Sequence, residues 1–233
     1  ISDKFIERWK SGDADAQQRF AKAVSLAYGH GKGYLCKNDL ANRLLPEYYK
    51  RAGLRFYASN LCTEIMVGID DTMDYTCIIS SIVAKHWDKI KNTKIIQLGT
   101  IFLDCVASEF IEKAKTLKGL EKAIKFTEKA RALGIGVCGY HSYLQSKMIS
   151  FGSLEASYIN NEIFASLEKE SLLASQYLAK YLGECELTKG SGVRNASLRA
   201  VAPTKSTALI MGGVSEGINP FSQNVYLQKT PAG

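Results

Sequence analysis

The chain has 233 residues, 46% hydrophobic and 23% charged, so a sizeable core is available for one large domain or two small ones. Its formal net charge of +7 fits a solvated basic surface, an anionic ligand or nucleic acid, but the Lys and Arg are scattered and no aromatics interleave with them as on a base-stacking platform. No apolar run reaches the roughly 20 residues that span a bilayer. Ile1-Ser2-Asp3-Lys4 forms no signal peptide, and six cysteines without CxxC or tight Cys/His clusters read neither as a disulfide framework nor as a zinc site, which favours a reducing cytosol.

In chain order, residues 2–11 and 14–28 read as helices, the second with Phe20, Val24 and Ala27 on one face. The chain turns around Gly29-His30-Gly31-Lys32-Gly33, and Pro46 opens a short helix that stops at Gly53. Leu54 to Ala58 and Tyr75 to Val83 are β-prone runs. From Ile95 a helical stripe carries Phe102, Val106, Phe110 and Ala114, with Cys105 assigned to the core, and a charged helix covers 119–131. Leu133 to Val137 reads as a strand or turn, followed by a helix from His141. Ser153 caps the longest helix, which carries Leu154, Tyr158, Ile163, Leu167, Ala174 and Leu178 to a stop at Gly183. Leu198 to Ala202 reads as a strand, and Pro203-Thr204-Lys205-Ser206-Thr207 opens a short helix. Alternating helix and strand predict an α/β fold.

Three constellations could carry chemistry. Asn60-Leu61-Cys62-Thr63-Glu64 sets an amide, a thiol and a carboxylate at every second position, which in extended backbone turns all three to one side; a partly buried Cys with polar neighbours reads the same way. Pro203 to Thr207 offers hydroxyls, one cation and the N–H groups of a helix start, which suits an anion, although Ser and Thr cap helices generally. Gly134-Ile135-Gly136-Val137-Cys138-Gly139 matches GxGxxG in form, but a charged helix precedes it, which argues against a dinucleotide site. Cys77 alone reads as a small buried hydrophobe. His30, His86 and His141 are too scattered for a metal set, and Asp70-Asp71-Thr72-Met73-Asp74 lacks the Gly and Glu of a calcium loop.

Taken together, these segments resemble the class I ribonucleotide reductase large subunit, in detail its bacteriophage-encoded branch. Ser59-Asn60-Leu61-Cys62-Thr63-Glu64-Ile65 matches S-N-L-C-x-E-I, and Arg131 to Gly139 matches R-x-L-G-[LI]-G-V-x-G. Tyr140 to Gln145, then Arg194-Asn195-Ala196-Ser197-Leu198, then Ala202-Pro203-Thr204 through Pro220 follow in the family's order, from about residue 17 to the end. The resemblance implies that residues 1–233 form one partial domain of the ten-stranded α/β barrel with its catalytic finger loop. It implies Cys62 as the thiyl radical, Glu64 as the base at the 3′-hydroxyl, Asn60 at the sugar, Ser59 as a further substrate-binding residue, and Cys77 as one of two redox cysteines. Pro203, Thr204, Lys205, Ser206 and Thr207 would hold the diphosphate of a nucleoside diphosphate. The family places Asn where this chain has Val83 and Glu where it has Asn219, and phage relatives more often read P-T-T-S-S at the phosphate turn.

The chain starts at Ile1 rather than Met and stops at Thr230-Pro231-Ala232-Gly233, so both ends read as cut. The allosteric N-terminal region, the partner of Cys77, the radical-relay tyrosines and the C-terminal redox tail are expected elsewhere. The implied partners are the remaining segments of the large subunit and a radical-generating, metal-containing small subunit. Thioredoxin or glutaredoxin is the implied reductant, and no cofactor is expected on the chain itself. The implied setting is deoxyribonucleotide biosynthesis for DNA replication in cytoplasm, that of a bacterial host if phage-encoded, with no membrane and no direct nucleic-acid contact. A cobalamin-dependent class II enzyme shares the N-x-C-x-E loop, and the His141 to Leu144 region points to class I. The competing readings are a non-catalytic remnant kept as a nucleotide-binding or assembly module, and an unrelated basic module that binds nucleic acid.

Overall fold

The structure, a computed structural model, describes residues 1–31 and 33–225; Lys32 and the chain end at Thr230 to Gly233 lie outside the described residues. Helix α1 (Asp3–Lys10) is capped by Ser2, and α2 (Ala14–His30) by Asp13, whose side chain accepts from the Ala16 N–H at 3.0 Å. Gly31, at φ +60°, ends α2. On the face expected from Phe20, Val24 and Ala27, Phe20 and Ala27 are half-buried and Val24 is exposed, and of α2 only Ala16 is fully buried. Helix α3 (Asn38–Leu44) leads to α4 (Glu47–Arg51), which begins after Pro46 and stops before Gly53 at φ +69°.

The run Leu54 to Ala58, expected as a strand, contributes one antiparallel bridge, Arg55 to Ile69. The reason is local. The Asn42 amide takes the place of a neighbouring strand at the next residue, accepting from Phe56 N–H at 2.9 Å and donating to Phe56 O at 2.8 Å. The second β-prone run forms its strand only in its later half, β1 (Ile79–Val83).

Strand β1 pairs in parallel with β2 (Gly134–Cys138), Ile79 opposite Gly134 and Val83 opposite Cys138. Parallel neighbours need a long crossover. Here it consists of a 3-10 turn (Ala84–His86), α5 (Trp87–Ile90), the long α6 (Ile95–Ala114) and α7 (Glu121–Ala130). After β2 come α8 (Tyr140–Ser146) and the 29-residue α9 (Leu154–Leu182), capped by Ser153 and ended at Gly183, then α10 (Lys205–Ile210). Leu198 to Ala202 runs beside β2 but forms only the parallel bridge Ile135 to Arg199, with Ile135 N–H donating to Leu198 O at 2.8 Å. That approach explains the glycines of the GxGxxG match. A Cβ on Gly136 would lie 2.2 Å from Ala200 O, and one on Gly134 2.7 Å from Ala200 Cβ. Gly136 lets two backbones touch, and Gly134 leaves room for the Ala200 and Ile79 side chains.

On α6 the buried stripe is Ile96, Leu103, Ala107, Ile111 and Ala114 together with Thr100 and Asp104. This corrects the expected stripe: Phe102 is 63% exposed, and Cys105, expected in the core, is exposed. Asp104 sets the rotation. Its Oδ1 accepts from Arg131 Nε at 2.8 Å and Asn195 Nδ2 at 2.8 Å, and its Oδ2 from Arg194 Nε at 3.1 Å. Arg131 also donates to Asp104 O and to Ser108 Oγ, and Ser175 of α9 donates to Asn195 Oδ1 at 2.9 Å. Helix α9 faces inward through Ile163, Leu167, Ala174 and Leu178, while Leu154 and Tyr158 of the expected face are exposed. Among the described residues no helix is long and apolar enough to cross a membrane.

Burial pushes the Asp104 carboxyl up, but Arg131, the Asn195 amide and Arg194 outweigh it and hold the group below the usual carboxylate value. A depressed folded value contributes stability that is complete above the unfolded value near ~4 and is lost as pH falls through the folded one. Asp104→Ala leaves two guanidinium groups unpaired in the interior, and we expect a loss of about 3–5 kcal/mol in urea unfolding. Asp104→Asn should flatten the stability decline below about pH 4. A wild-type acid profile in Asp104→Asn would remove this carboxylate from its central role.

Candidate active site

The loop from Phe56 to Gly68 projects between two fixed ends. The Arg55 to Ile69 bridge closes its base, and Phe56, Ile65 and Val67 are buried there. Gly68 lies so close to Tyr49 and Leu54 that a Cβ would sit 3.0 Å from the Tyr49 ring. Further out, Ser59 Oγ donates to Ile65 O at 2.7 Å, and Asn60 Oδ1 accepts from Ile65 N–H at 3.3 Å. The loop is therefore cross-tied below its tip.

At the tip the backbone is not extended. Thr63 N–H donates back to Asn60 O at 3.0 Å, and Thr63 sits at φ +62°. The alternation argument for Asn60, Cys62 and Glu64 therefore gives way to a tight turn, but all three side chains still line one cleft. Its volume is about 600 Å³, within the range of small-molecule sites. Cys77, Ile79, Ser80 and Ser81 form a second wall, and Ala202 through Thr207 form the third. Ser59 serves the cross-tie below the tip and does not line the cleft.

Cys62 is half-buried, Cys77 is exposed, and all six cysteines are free thiols. Partial burial pushes the Cys77 thiol up, and the negative charge of Glu64 and of a Cys62 thiolate adds to the shift. The Tyr75 phenol is raised by burial and by the same neighbours, Cys77 and Glu64. Glu64 Oε2 is buried and has no hydrogen-bond partner among the described residues. An acceptor of that kind is costly unless something donates to it.

The third wall suits an anion. Thr204 precedes α10 with φ +56°, and its Oγ1 accepts from Gly217 N–H at 2.9 Å, so the hydroxyl does not cap the helix. The first-turn N–H groups at Lys205, Ser206 and Thr207 have no intrahelical acceptors, and no acidic side chain stands in that turn. Lys205 adds a cation to the same wall. Val83 packs against Cys138, Ala208 and Val214, and Asn219 is exposed; neither lines the cleft. The His141 ring lies against Phe151 and Phe221, its Nδ1 accepts from Phe221 N–H at 3.0 Å, and burial lowers its basicity.

Sequence reasoning missed Ser80 and Ser81, which line the cleft from β1, and Thr76, which stands behind Glu64. Two serines inside a β-prone Ile/Val run were the available signal for the first pair. Thr76 left none. At fixed pH near neutrality, Glu64→Gln should raise the alkylation rate of Cys77 by a few fold, because removing the charge lowers the thiol's pKa. Peptide-resolved iodoacetamide labelling reads this, and an unchanged rate would separate the two groups.

The family model for the ribonucleotide reductase barrel domain matches residues 4–191 and 185–233. The ribonucleoside-diphosphate reductase large subunit of Invertebrate iridescent virus 3 is 35% identical over 204 residues, which are 87% of this chain and 32% of that protein. The putative large subunit of Frog virus 3 is 32% identical over 250 residues, covering 100% of this chain and 44% of the relative. Among solved structures, the Actinobacillus ureae class Id ribonucleotide reductase alpha subunit superposes with a TM-score of 0.92 at 42% identity, over 96% of this chain and 43% of that one. The chain thus spans less than half the length of each of these relatives. With its finger loop, its parallel strand pair and a match over nearly its whole length, the chain belongs to the ribonucleotide reductase barrel-domain family.

Proposed function

We propose that the chain is the catalytic segment of a class I ribonucleoside-diphosphate reductase large subunit and reduces ribonucleotides once the rest of the subunit completes it. The observation that carries this reading is a single cleft holding two thiols, a carboxylate with a buried partnerless oxygen and an anion-suited turn. Residues 1–233 then form one partial barrel domain, and the match to the barrel-domain model together with the likeness to the viral and bacterial relatives supports the assignment.

In this reading Cys62, as a thiyl radical, takes the hydrogen from the ribose 3′ carbon. Glu64 accepts the 3′-hydroxyl proton, for which it must come within roughly 2.6–3.2 Å, directly or through one water. The 2′-hydroxyl leaves as water. Cys77 and a second cysteine outside this chain supply two electrons and become a disulfide, which thioredoxin or glutaredoxin reduces. Cys62 then returns hydrogen to the 3′ carbon. The raised Cys77 value suits this work, since a thiol that keeps its proton near neutrality can deliver hydrogen as well as electrons. Asn60 orients the sugar, Ser59 holds the loop, and Pro203 through Thr207 bind the diphosphate with Lys205 contributing charge. The radical comes from a metal-containing small subunit, and the setting is cytoplasmic.

Reconstitution with the complementary large-subunit segments, a radical-generating subunit and a dithiol reductant tests the proposal. Wild type should form deoxynucleoside diphosphate. Cys62→Ala should form none, and Glu64→Gln should be slower by about 10²–10⁴-fold, the usual weight of a positioned base. Activity in Cys62→Ala, or an affinity for DNA that exceeds that for nucleoside diphosphates and falls steeply with salt, would overturn it.

A further inference from the structure

Glu64 stands between two spaces. One is the cleft. The other is a narrow chamber of about 20 Å³ behind the loop, whose polar lining comes from Glu64, Thr76, Ser197 and Arg199. A space of roughly 10–15 Å³ by this measure admits one water, provided two or more polar groups face it.

The hydrogen bonds behind the chamber fix the direction of the two threonine protons there. Thr127 Oγ1 lies 2.8 Å from Ala123 O, and a carbonyl only accepts, so the single Thr127 proton is used there. The same Thr127 oxygen lies 2.8 Å from Thr76 Oγ1, so Thr76 must be the donor between them. Thr76 is then left with lone pairs alone. An ionised Glu64 is also acceptor-only, and its Oε2 is buried with no partner among the described residues. Two acceptors thus line a chamber one water wide, and neither can bond the other. Arg199 is engaged outward, its Nη2 on Glu168 Oε1 at 3.1 Å.

We propose that this chamber is a single-water site, the water donating one hydrogen to Glu64 Oε2 and the other to Thr76 Oγ1, and that Thr76 is thereby a positioning residue for Glu64. The chain of donors runs outward from the water: to Glu64 on one side, and on the other to Thr76, which itself donates to Thr127 and through it to Ala123 O. Holding Oε2 from behind leaves the other carboxylate oxygen for the cleft. A hydrogen bond donated to the ionised form also favours that form, which keeps the group ready to accept a proton. The role of Thr76 rests on reading Glu64 as the base; the water site does not.

The test uses the full chain without nucleotide. A high-resolution crystal structure locates the water, and carbon-13 NMR of labelled glutamate, assigned by Glu64→Gln, follows the Glu64 titration. Thr76→Val keeps the shape and loses the oxygen, whereas Thr76→Ser keeps the oxygen. Wild type and Thr76→Ser should each show one water within hydrogen-bond distance of both oxygens. Thr76→Val should lose it, and the Glu64 titration should move upward. Thr76→Ser should restore the wild-type titration, which a purely structural role for Thr76 would not require. An Arg199 guanidinium seated on Glu64 Oε2, a wild-type chamber without ordered density, or an unmoved titration in Thr76→Val would each overturn the proposal. If Thr76→Val fails to fold, the wild-type and Thr76→Ser densities decide alone. No turnover enters these measurements, so their failure leaves the reductase reading where its own reconstitution puts it.

Discussion

A carboxylate taken out of water must be given donors, and that requirement at Asp104 organises the rest of the molecule. Three side chains answer it: Arg131 from the end of α7, and Arg194 and Asn195 from the segment after α9. Each fixes a different stretch of backbone. Arg131 adopts a left-handed conformation, φ +42°, immediately before the residues that enter β2. Asn195 also donates to Arg131 O at 3.0 Å, which ties the start of β2 to the start of the run beside it. Ala196 N–H then donates to Ala130 O and Leu133 N–H to Ser197 O. From there the chain has one course along β2 to the anion turn.

That course determines the cleft. Because the Ala200 backbone presses on Gly136 while the Ala200 and Ile79 side chains fill the space at Gly134, a side chain at either glycine would push the two runs apart. On the other edge of β2, β1 carries Ser80 and Ser81 to the cleft, and Cys77 stands two residues before the strand begins. The sheet positions two of the three walls, and the cross-tied loop brings the third. Regular structure supplies distance, and irregular structure supplies the reactive groups.

Much of this was legible in the sequence, and the failures have physical causes. Caps and stops were plain where a local residue enforces them, as with Ser153 and Gly183 around α9, or Pro46 and Gly53 around α4. The runs 54–58 and 198–202 were β-prone and became single bridges, because strand identity depends on a neighbour that local composition does not specify. Helix α6 was located, but its inward face was misjudged: apolar periodicity favoured Phe102 and Cys105, while one acid in the stripe decided the rotation. The candidate site residues were picked by motif. Their convergence was argued from alternation in an extended loop, yet it arises from a turn at Thr63. A motif preserves which residues meet, and it carries no record of the backbone that makes them meet.

The two threonines that flank the cleft bear on why it is built this way. Thr63 and Thr204 both have positive φ, a conformation that is strained for a β-branched residue at about 1–3 kcal/mol each. Glycine would relieve that strain at either place. It would also free the turn to sample other shapes, and the unfolded chain would lose more entropy on folding. Thr204 uses its hydroxyl to hold Gly217, and a Cβ on Gly217 would already stand 3.0 Å from Ala202 O, so the anion turn is braced from behind by a close backbone contact. Thr63 is held by its bond to Asn60, whose own side chain ties into Ile65. Each strained residue is thus over-determined by its neighbours, and each fixes one wall. A cleft that gathers a sulfur, a carboxylate and a helix start gains more from a single geometry than it loses to local strain.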